Sequence, residues 1–374
     1  MIDLRSDTVT RPTAAMRRAM AEAEVGDDVI DVDPTVERLE QETAAVLDMP
    51  AALFMPSGSM ANQIAVRVHC QRGSEFLCEA GCHIYNYEQA AFAQLSGLVA
   101  QTVAGTDGVL QVEQLIGLVR PHNDHMVRTQ LIALENTHNR AGGTIQPLET
   151  VEDICRWADE QGLRRHLDGA RLWNAVAATG IEADRWAGHF DSVSVCFSKG
   201  LGAPVGSVLA GTEDFIAEAR RARKLFGGGM RQAGIIAAGA LYSLRHHRGR
   251  LDEDHHHAQI LKKAIDDSPS LVIGPAGVQT NIVRFEVDPD WGTAAELVRG
   301  LEEQGVRCLA FGPQAIRLVT HLDVSSAQID RAAEAIRAVA GKRAGSVVEQ
   351  VATAPCAAEP RTSGPPSSSG ASSR

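Results

Sequence analysis

The sequence predicts an α/β protein with a large, doubly wound, mostly parallel sheet and a small C-terminal α+β domain. Up to about residue 250, short β-like runs alternate with helical patterns, which is the order found in doubly wound sheets. After about residue 250 the order changes to helix, strand, helix, two strands and helix. The chain has 374 residues, of which 44% are hydrophobic, so it can bury the cores of two domains.

Asp33-Pro34-Thr35 marks the first clear element. Proline fits the first turn of a helix, and apolar residues recur on one face after it, which predicts a helix over about 34–48. The strands predicted for the large sheet are short β-like runs, with a helical pattern over 170–178 among them. These runs are Ala52–Met55, Glu75–Cys78, Gln130–Leu134, Arg165–Leu167, Ser192–Phe197 and Gly206–Ala210.

The patterns after residue 250 predict the elements of the smaller domain. A strand is expected over 280–287 and a helix over 294–304. Strands near Arg307 and Ile316 follow, and a helix over 327–340 completes the domain.

We divide the chain into three parts. Residues 1–250 form the large domain with an N-terminal arm, and residues 251–344 form the small domain. Residues 345–374 are rich in Ala, Pro, Ser and Gly. Such a composition cannot bury enough apolar area to offset the chain entropy, so we expect a disordered tail.

Charge and composition limit the choice of partners. A formal net charge of −11 gives no basic surface for nucleic acid or an anionic membrane, so we expect a small-molecule ligand. The N-terminus lacks the apolar region of a signal peptide, and no apolar stretch approaches membrane-spanning length, which predicts a cytoplasmic protein. The seven cysteines form no CxxC pair and are expected to be reduced.

Two charged residues follow predicted strands of the large sheet. Lys199 comes after the run 192–197 and before a Gly-rich turn, and Asp168 directly follows the run 165–167. The carboxyl ends of parallel strands line the ligand crevice of an α/β sheet, so both side chains are expected there. Pyridoxal 5'-phosphate needs a lysine that holds it as a Schiff base and a carboxylate that keeps its ring nitrogen protonated. The pair therefore predicts this cofactor.

A turn that contains Gly58 and Ser59 follows another predicted strand and opens a helix. Backbone amides at a helix N-terminus bind phosphate, although the same pattern taken alone is more often a serine-capped turn. His83 also follows a strand-like run, beside Tyr85 and Tyr87, and could lie flat over an aromatic ring; a loop histidine is the alternative. The combination of a phosphate turn, an acid and a lysine on successive strand ends favours a cofactor site.

Four basic residues are candidate partners for anions. They are Arg171, Lys224, Arg231 and Arg317. Arg317 lies between Ile316 and Leu318 on a predicted strand, where a buried guanidinium needs a carboxylate. The α-carboxylate of an amino acid would fit it bidentately.

Two histidine motifs suggest metal binding, and we discount both. They are His122-Asn123-Asp124-His125 and His255-His256-His257. Neither has an acid or cysteine at the usual zinc spacing, and the triplet belongs to an acidic, helical pattern typical of a solvated face. We expect no metal.

With these residues identified, the chain resembles the low-specificity L-threonine aldolases, which are fold type I enzymes of the aspartate aminotransferase superfamily. The resemblance covers about residues 1–340. The segments that carry it are Asp3–Pro12, Gly26–Val29, Leu134–Asn139, Asp168–Arg171, Ser198–Gly202, Gly227–Gln232 and Arg317–Asp323.

The resemblance implies how pyridoxal phosphate is bound. Lys199 would form the covalent link to the cofactor, and Asp168 would pair with its pyridine nitrogen. His83 would stack on the ring, while Gly58 and Ser59 would hold the phosphate.

The resemblance also implies a substrate site and an assembly. Ser6, Arg171 and Arg317 would bind the substrate carboxylate, and His125 matches a position near the substrate hydroxyl. Arg171 would also contact the cofactor. Lys224 and Arg231 would complete the cofactor contacts from a paired subunit, since members of the family are homotetramers with shared active sites.

The implied activity is retro-aldol cleavage of the Cα–Cβ bond of L-threonine, L-allo-threonine and related β-hydroxy-α-amino acids, which gives glycine and an aldehyde. His83, His125 and an ordered water all stay open as acceptors of the hydroxyl proton. A β-eliminating lyase or an aminotransferase of the same fold is the main alternative, because the cofactor residues are shared. A non-catalytic binding protein and a metal hydrolase are weaker alternatives.

Two segments differ from the usual pattern of the family. Val29-Ile30-Asp31 stands where Val-Tyr-Gly is usual, and Ala90-Ala91 stands where glycines are common. These differences bear on substrate range and on the stereopreference at the β-carbon. They leave the expected cofactor residues intact.

Overall fold

The computed structural model describes residues 1–342, and the tail predicted over 345–374 lies outside them. The α-helices of the described residues are α1 (Ala14–Ala21), α2 (Pro34–Leu47), α3 (Gly58–His69), α4 (His83–Asn86), α5 (Ala91–Ser96), α6 (Leu148–Glu160), α7 (Leu172–Thr179), α8 (Ala183–Ala187), α9 (Glu213–Leu225), α10 (Gly234–His246), α11 (Leu251–Asp266), α12 (Ala294–Glu303) and α13 (Ser326–Ala340). The strands are β1 (Ile2–Asp3), β2 (Ala51–Met55), β3 (Glu75–Glu79), β4 (Val99–Val103), β5 (Thr129–Glu135), β6 (Arg164–Gly169), β7 (Ser192–Cys196), β8 (Ser207–Gly211), β9 (Leu271–Ile273), β10 (Ile282–Val287), β11 (Val306–Arg307), β12 (Leu309–Ala310) and β13 (Ala315–Val319).

A seven-stranded sheet forms the centre of the large domain, in the order β2-β8-β7-β6-β5-β3-β4. The pairs from β7 to β4 are parallel, whereas β8 runs antiparallel to both β2 and β7. The six strands predicted for this domain are all present, each within two residues of its predicted bounds. The prediction of an α/β fold with a mostly parallel sheet is confirmed. Only the edge strand β4 was not predicted.

Strand β2 illustrates how helices cover both faces of the sheet. Phe54 packs into a core with Leu39 of α2, whereas Leu53 and Met55 pack into a second core with Ile64 of α3. Successive side chains of a strand point to opposite faces, so an apolar run of this kind is buried on both sides. Helix α3 therefore lies directly against the sheet, with its N-terminus close to the strand ends.

The second, smaller sheet is antiparallel, in the order β12-β13-β10-β9. It packs with α11, α12 and α13 around a core that includes Leu261, Leu297 and Ile336. The N-terminus joins this core, because β1 pairs with β11, and Ile2 and Leu4 are buried there. The chain then returns to the large sheet. The N-terminal arm therefore passes the carboxyl ends of the strands of that sheet.

No helix within residues 1–342 is both long enough and apolar enough to cross a membrane. The cysteines of this part of the chain are all buried and unpaired.

The N-cap of α2 provides a test of the fold. Asp33 is almost fully buried and accepts hydrogen bonds from the backbone amides of Thr35, Val36 and Gly234 at 3.0, 3.1 and 2.8 Å. We expect Asp33→Ala to lower the free energy of unfolding by about 2–4 kcal/mol, because the helix loses its cap and a buried amide loses its acceptor. Urea unfolding followed by circular dichroism measures this. Asp31→Ala, at an exposed position nearby, serves as the control. Equal urea midpoints for the two variants would contradict the role of Asp33 as the cap of α2.

Candidate active site

Parallel pairing aligns the carboxyl ends of β5, β6 and β7. Glu135 on β5 lies opposite Asp168 on β6, and Asp168 lies opposite Ser194 on β7. Strand β7 ends at Cys196, and Lys199 follows shortly after it. Ligand sites of α/β proteins lie at this edge of the sheet. The structure thus places Asp168 and Lys199 at the same edge of the sheet.

Lys199 lies against the N-terminal arm. Its backbone carbonyl accepts a hydrogen bond from Thr10 Oγ1 at 3.0 Å, and the same hydroxyl lies 2.9 Å from the carbonyl oxygen of Asp7. Burial raises the pKa of Asp7, but the positive charges of Arg171 and Lys199 together with hydrogen bonds outweigh burial, so that its pKa falls to about 2. The arm therefore brings a buried carboxylate into the electric field of the lysine.

Asp168 is buried and held by two donors. Its Oδ2 accepts a hydrogen bond from Asn62 Nδ2 at 2.8 Å, and its Oδ1 accepts one from the backbone amide of Ala170 at 3.1 Å. A carboxylate oxygen can accept more than one hydrogen bond, so the group keeps capacity for a further N–H donor.

His83 is the first residue of α4, and two carboxylates hold it. Its backbone amide donates to Glu135 Oε2 at 2.5 Å, and its Nδ1 lies 2.8 Å from Glu88 Oε1. Burial lowers the pKa of His83, but the hydrogen bond with Glu88 and the charges of Asp168, Glu88 and Glu135 outweigh it, and its pKa lies above the ordinary value. The ring, tilted toward Tyr87, therefore carries more positive charge near neutral pH than an ordinary histidine.

Helix α3 begins at Gly58, as predicted for the phosphate turn. Ser57 caps it through a hydrogen bond from the amide of Met60 to its Oγ at 3.2 Å. A Cβ at Gly58 would lie 2.8 Å from Cys196 Sγ, so only glycine allows this close approach to β7. The N-terminus of α3 is thus fixed beside the strand that leads to Lys199.

Arg171 was expected to bind the substrate carboxylate, and the structure pairs it with Asp7 instead. Its Nε and Nη2 donate to the two carboxylate oxygens of Asp7 at 2.8 and 2.7 Å, with both side chains buried. Its Nη1 donates to Asn139 Oδ1 at 3.3 Å. The bidentate face of Arg171 is therefore already occupied by Asp7, and its Nη1 shares Asn139 Oδ1 with Arg317.

Arg317 is a buried cation with unused hydrogen-bonding capacity. Its Nη1 donates to Asn139 Oδ1 at 3.0 Å and its Nη2 contacts the carbonyl oxygen of Arg5 at 3.4 Å, while Nε has no partner among the described residues. Within residues 1–342 it forms no ion pair with a carboxylate. Burial, followed by the charge of Arg171, lowers its pKa below the ordinary value. Such a group needs an anion, and a carboxylate matches its geometry.

Sequence reasoning missed several polar residues of this site. Asp7, Glu135 and Asn139 lie in segments that carried the family resemblance, and Asn62 follows the phosphate turn on the buried side of α3, so each had a local signal. Glu88 had none, because a buried carboxylate cannot be distinguished from a surface one without the fold.

Three predicted site residues are not brought to this crevice within one chain. Lys224 and Arg231 are exposed, and Arg231 pairs with Asp27 at 3.1 Å. His125 is exposed in the loop before β5. His122 of the same loop lines a cleft at the amino ends of β5, β6 and β7, which is the opposite edge of the sheet. Their roles stay predictions that require a second subunit.

One group of side chains in the described part of the chain has the spacing of a metal site. His83, Glu88 and Asp168 offer ligand atoms within 4.8 Å of one another. The ring of His83 and the amide of Asn62 already supply N–H donors to these carboxylates. This environment favours an N–H cation over a metal ion as the next partner of Asp168.

The departure at Ala90 has a structural consequence. Ala90 precedes α5 with φ of 50°, in the left-handed region, and Gln89 has φ of 55°. Glycine adopts this conformation without steric cost, whereas alanine is strained there by about 1 kcal/mol. The two residues directly follow Glu88, so the strained turn is part of the segment that holds His83.

Comparison with known proteins gives consistent results. The model of the β-eliminating lyase family matches residues 3–288. Low-specificity L-threonine aldolase 1 of Arabidopsis thaliana is 41% identical over 333 residues, which cover 88% of this chain and 93% of the relative. Low specificity L-threonine aldolase of Escherichia coli K12 is 41% identical over 339 residues, which cover 90% of this chain and 99% of the relative. The solved structure of Leishmania major threonine aldolase is 19% identical, with a TM-score of 0.78 over 91% of this chain and 100% of that chain.

The fold is that of the solved threonine aldolase and of Sphingomonas wittichii serine palmitoyltransferase, which matches with a TM-score of 0.71. The chain belongs to the β-eliminating lyase family and, within it, to the low-specificity L-threonine aldolases. The family resemblance seen in the sequence is confirmed.

The Asp7–Arg171 pair predicts a specific acid sensitivity. Because the pKa of Asp7 falls from 3.8 to about 2 on folding, the stability it contributes is present above about pH 4 and is lost as the pH falls toward 2. We expect Asp7→Asn to lower the free energy of unfolding near neutral pH by about 3 kcal/mol or more, because it leaves Arg171 buried without its counter-ion. The difference from wild type should shrink by about 2 kcal/mol between pH 5 and pH 2.

Urea unfolding at a series of pH values measures both effects. Asp3→Asn, which removes a partly exposed pair with Arg5, is the matched control and should cost less than about 1 kcal/mol. A difference between wild type and Asp7→Asn that is independent of pH would show that the pair does not hold the pKa of Asp7 low.

Proposed function

We propose that this protein is a pyridoxal-phosphate-dependent aldolase, a carbon–carbon lyase that cleaves L-threonine, L-allo-threonine and related β-hydroxy-α-amino acids to glycine and an aldehyde. Family membership and the site geometry support the proposal together. The observation that carries it is the buried guanidinium of Arg317, which has an unused donor. It shares Asn139 Oδ1 with Arg171, which pairs with Asp7, and the charge of Lys199 acts on Asp7. A free amino acid supplies the carboxylate that this group lacks.

The residues of the crevice fit pyridoxal phosphate. The amides of Gly58 and Ser59 have no acceptor within the described residues, and the N-terminus of a helix attracts a phosphate. Asp168 offers a carboxylate to a protonated ring nitrogen, and Lys199 offers the amine that holds the cofactor. When bound, pyridoxal phosphate supplies an electron sink for the electron pair left on Cα as a bond to that carbon breaks.

Arg317 determines how the substrate lies. Its guanidinium binds the substrate carboxylate. Ser6 lies next to Arg5 in the chain, and the carbonyl oxygen of Arg5 contacts Arg317 Nη2, so the backbone at Ser6 lies near the guanidinium. With the carboxylate held by Arg317, the bond from Cα to the carboxylate would be kept out of alignment with the electron sink, and the Cα–Cβ bond would stay available for cleavage. Orientation of this kind accounts for cleavage of that bond rather than loss of the carboxylate.

The substrate hydroxyl must lose its proton as the Cα–Cβ bond breaks. His83 is poorly suited to accept it, because its raised pKa increases its protonated fraction near neutral pH. Its part is to cover the ring and to supply positive charge. His125 is exposed on the far edge of its own sheet, so a role as proton acceptor requires a second subunit.

The expected homotetramer would satisfy this requirement. Lys224 and Arg231 are likewise exposed basic residues that could contact the cofactor only from a neighbouring copy. A shared active site is therefore part of the proposal. The cytoplasmic location stays a prediction from the sequence.

Product analysis tests the proposal and its main alternative. Purified protein supplied with pyridoxal phosphate should show a visible absorbance band and should convert L-threonine to equal amounts of glycine and acetaldehyde. Lys199→Ala should lose both properties, whereas Lys263→Ala, at an exposed position on α11, should keep them. Ammonia and a keto acid in place of glycine would indicate β-elimination and would contradict the aldolase assignment.

A second prediction concerns the carboxylate clamp. Arg317→Leu removes a charge-assisted bidentate contact, which is expected to raise KM for L-threonine on the order of ten- to a hundredfold. The affinity for pyridoxal phosphate should change by less than about twofold, because Arg317 contacts substrate rather than cofactor. Steady-state kinetics and cofactor titration measure the two quantities.

The matched control is Arg307→Leu, which removes an exposed arginine of the same domain that pairs with Glu302. If Arg317→Leu and Arg307→Leu gave the same KM, the substrate carboxylate would have to bind elsewhere.

A further inference from the structure

We propose that Asn62 is a positioning residue of this enzyme. Its amide, fixed in one orientation by His166 and Ser194, ties Asp168 to Glu88 and thereby sets the ring-nitrogen partner relative to His83. This inference rests on the proposed function, because Asp168 acts on the ring nitrogen of the cofactor. It adds residues that neither the sequence motifs nor the family comparison assign to the site.

Asn62 lies on α3 and is 2% exposed. Both of its N–H groups are used, since Nδ2 lies 2.8 Å from Asp168 Oδ2 and 3.0 Å from Glu88 Oε1. The same Glu88 oxygen lies 2.8 Å from His83 Nδ1. An unbroken series of contacts therefore runs from the buried Asp168 through Asn62 and Glu88 to the partly exposed His83.

The orientation of the Asn62 amide is determined by its other partners. Its Oδ1 accepts a hydrogen bond from Ser194 Oγ at 2.9 Å and lies 3.2 Å from His166 Nε2. A flipped amide would direct its oxygen at the carboxylate oxygens of Asp168 and Glu88 in place of its N–H groups. Repulsion between these oxygens excludes the flipped form.

The tautomer of His166 follows from the same network. Burial lowers the pKa of His166 to about 4, so the ring is neutral at neutral pH. With Nε2 donating to Asn62, Nδ1 of the neutral ring lies 2.8 Å from Ser192 Oγ. Ser192 Oγ also lies 2.7 Å from His69 Nε2, so the buried polar contacts extend from Asn62 to His69.

The surroundings of Asp168 show why one residue matters. Five ionisable groups surround this carboxylate and share its electrostatic environment. They are His83, Glu88, Glu135, His138 and His166. Among the side chains of the described residues, Asn62 is the hydrogen-bond donor to Asp168; the remaining donor is the amide of Ala170. Without Asn62, the carboxylate is free to turn about its side-chain torsions, and its contact with the ring nitrogen weakens.

The test is a double-mutant cycle on cofactor affinity. Apoproteins of wild type, Asn62→Ala, Asp168→Asn and the double variant are titrated with pyridoxal phosphate, and the pH dependence of the visible band is recorded for each. Asn62→Ala should raise the cofactor Kd on the order of ten- to a hundredfold and shift the pH dependence of the band. In the Asp168→Asn background the same change should alter Kd by less than about threefold, because Asn62 acts through Asp168.

Controls separate positioning from folding. Asn174→Ala truncates another buried helical asparagine, which contacts His255 rather than the site, and should leave Kd within about twofold of wild type. Thermal unfolding of each apoprotein reports stability. If Asn62→Ala does not fold, Ser194→Ala removes one donor to Asn62 and should raise Kd by about three- to tenfold, again only while Asp168 is present.

The outcomes distinguish this inference from the proposed function. Asp168→Asn alone should lower kcat on the order of ten- to a thousandfold. Suppose that Asp168→Asn lowers kcat, but the variants of Asn62 and Ser194 keep the wild-type Kd and spectrum. The role of Asn62 is then wrong, while the proposed function stands. The same conclusion follows if these variants change Kd equally in the wild-type and Asp168→Asn backgrounds. If Asp168→Asn changes neither kcat nor Kd, the proposed role of Asp168 fails and the inference fails with it.

Discussion

The parallel register of β5, β6 and β7 is the constraint on which the site depends. It places Glu135, Asp168 and Ser194 side by side. Because side chains alternate between the faces of a strand, a slip of one residue would turn Asp168 away from α3 and break its contact with Asn62. Apolar side chains bury both faces of this sheet, so the same packing that stabilises the large domain also fixes the positions of the polar groups at its edge.

Charge balance connects this edge to the N-terminal arm and to the small domain. Asp7 neutralises Arg171, and Glu88 partners His83, so most of the buried charge is compensated within the chain. Among the buried arginines of the described residues Arg317 is the exception, since it has no carboxylate partner, whereas Arg171 and Arg223 are both paired. A binding site for an amino acid is the natural consequence, because the substrate brings the missing negative charge and the guanidinium of Arg317 is already buried before it binds.

The sequence alone was sufficient to predict those features that leave a signal in a short stretch of the chain. The strands were apparent from their apolar runs, and Lys199 and Asp168 from their positions after strands. Strand β4 was missed because Val99–Val103 is partly exposed at the sheet edge and includes polar residues. The Asp7–Arg171 pair joins residues 164 positions apart, and Asn62 meets Asp168 across 106, so only the tertiary fold brings them together. The position of His125 within an assembly depends on contacts between subunits, which no pattern along a single chain specifies.

The central claim is that Lys199 holds pyridoxal phosphate covalently at this edge of the sheet. Reduction of the cofactor-loaded protein with sodium borohydride, followed by proteolysis and peptide mass mapping, tests it directly. The account predicts a reduced pyridoxyl group on the peptide that contains Lys199 and no such group on that peptide from an unreduced sample. A modified lysine elsewhere in the chain, with Lys199 unmodified, would contradict the account.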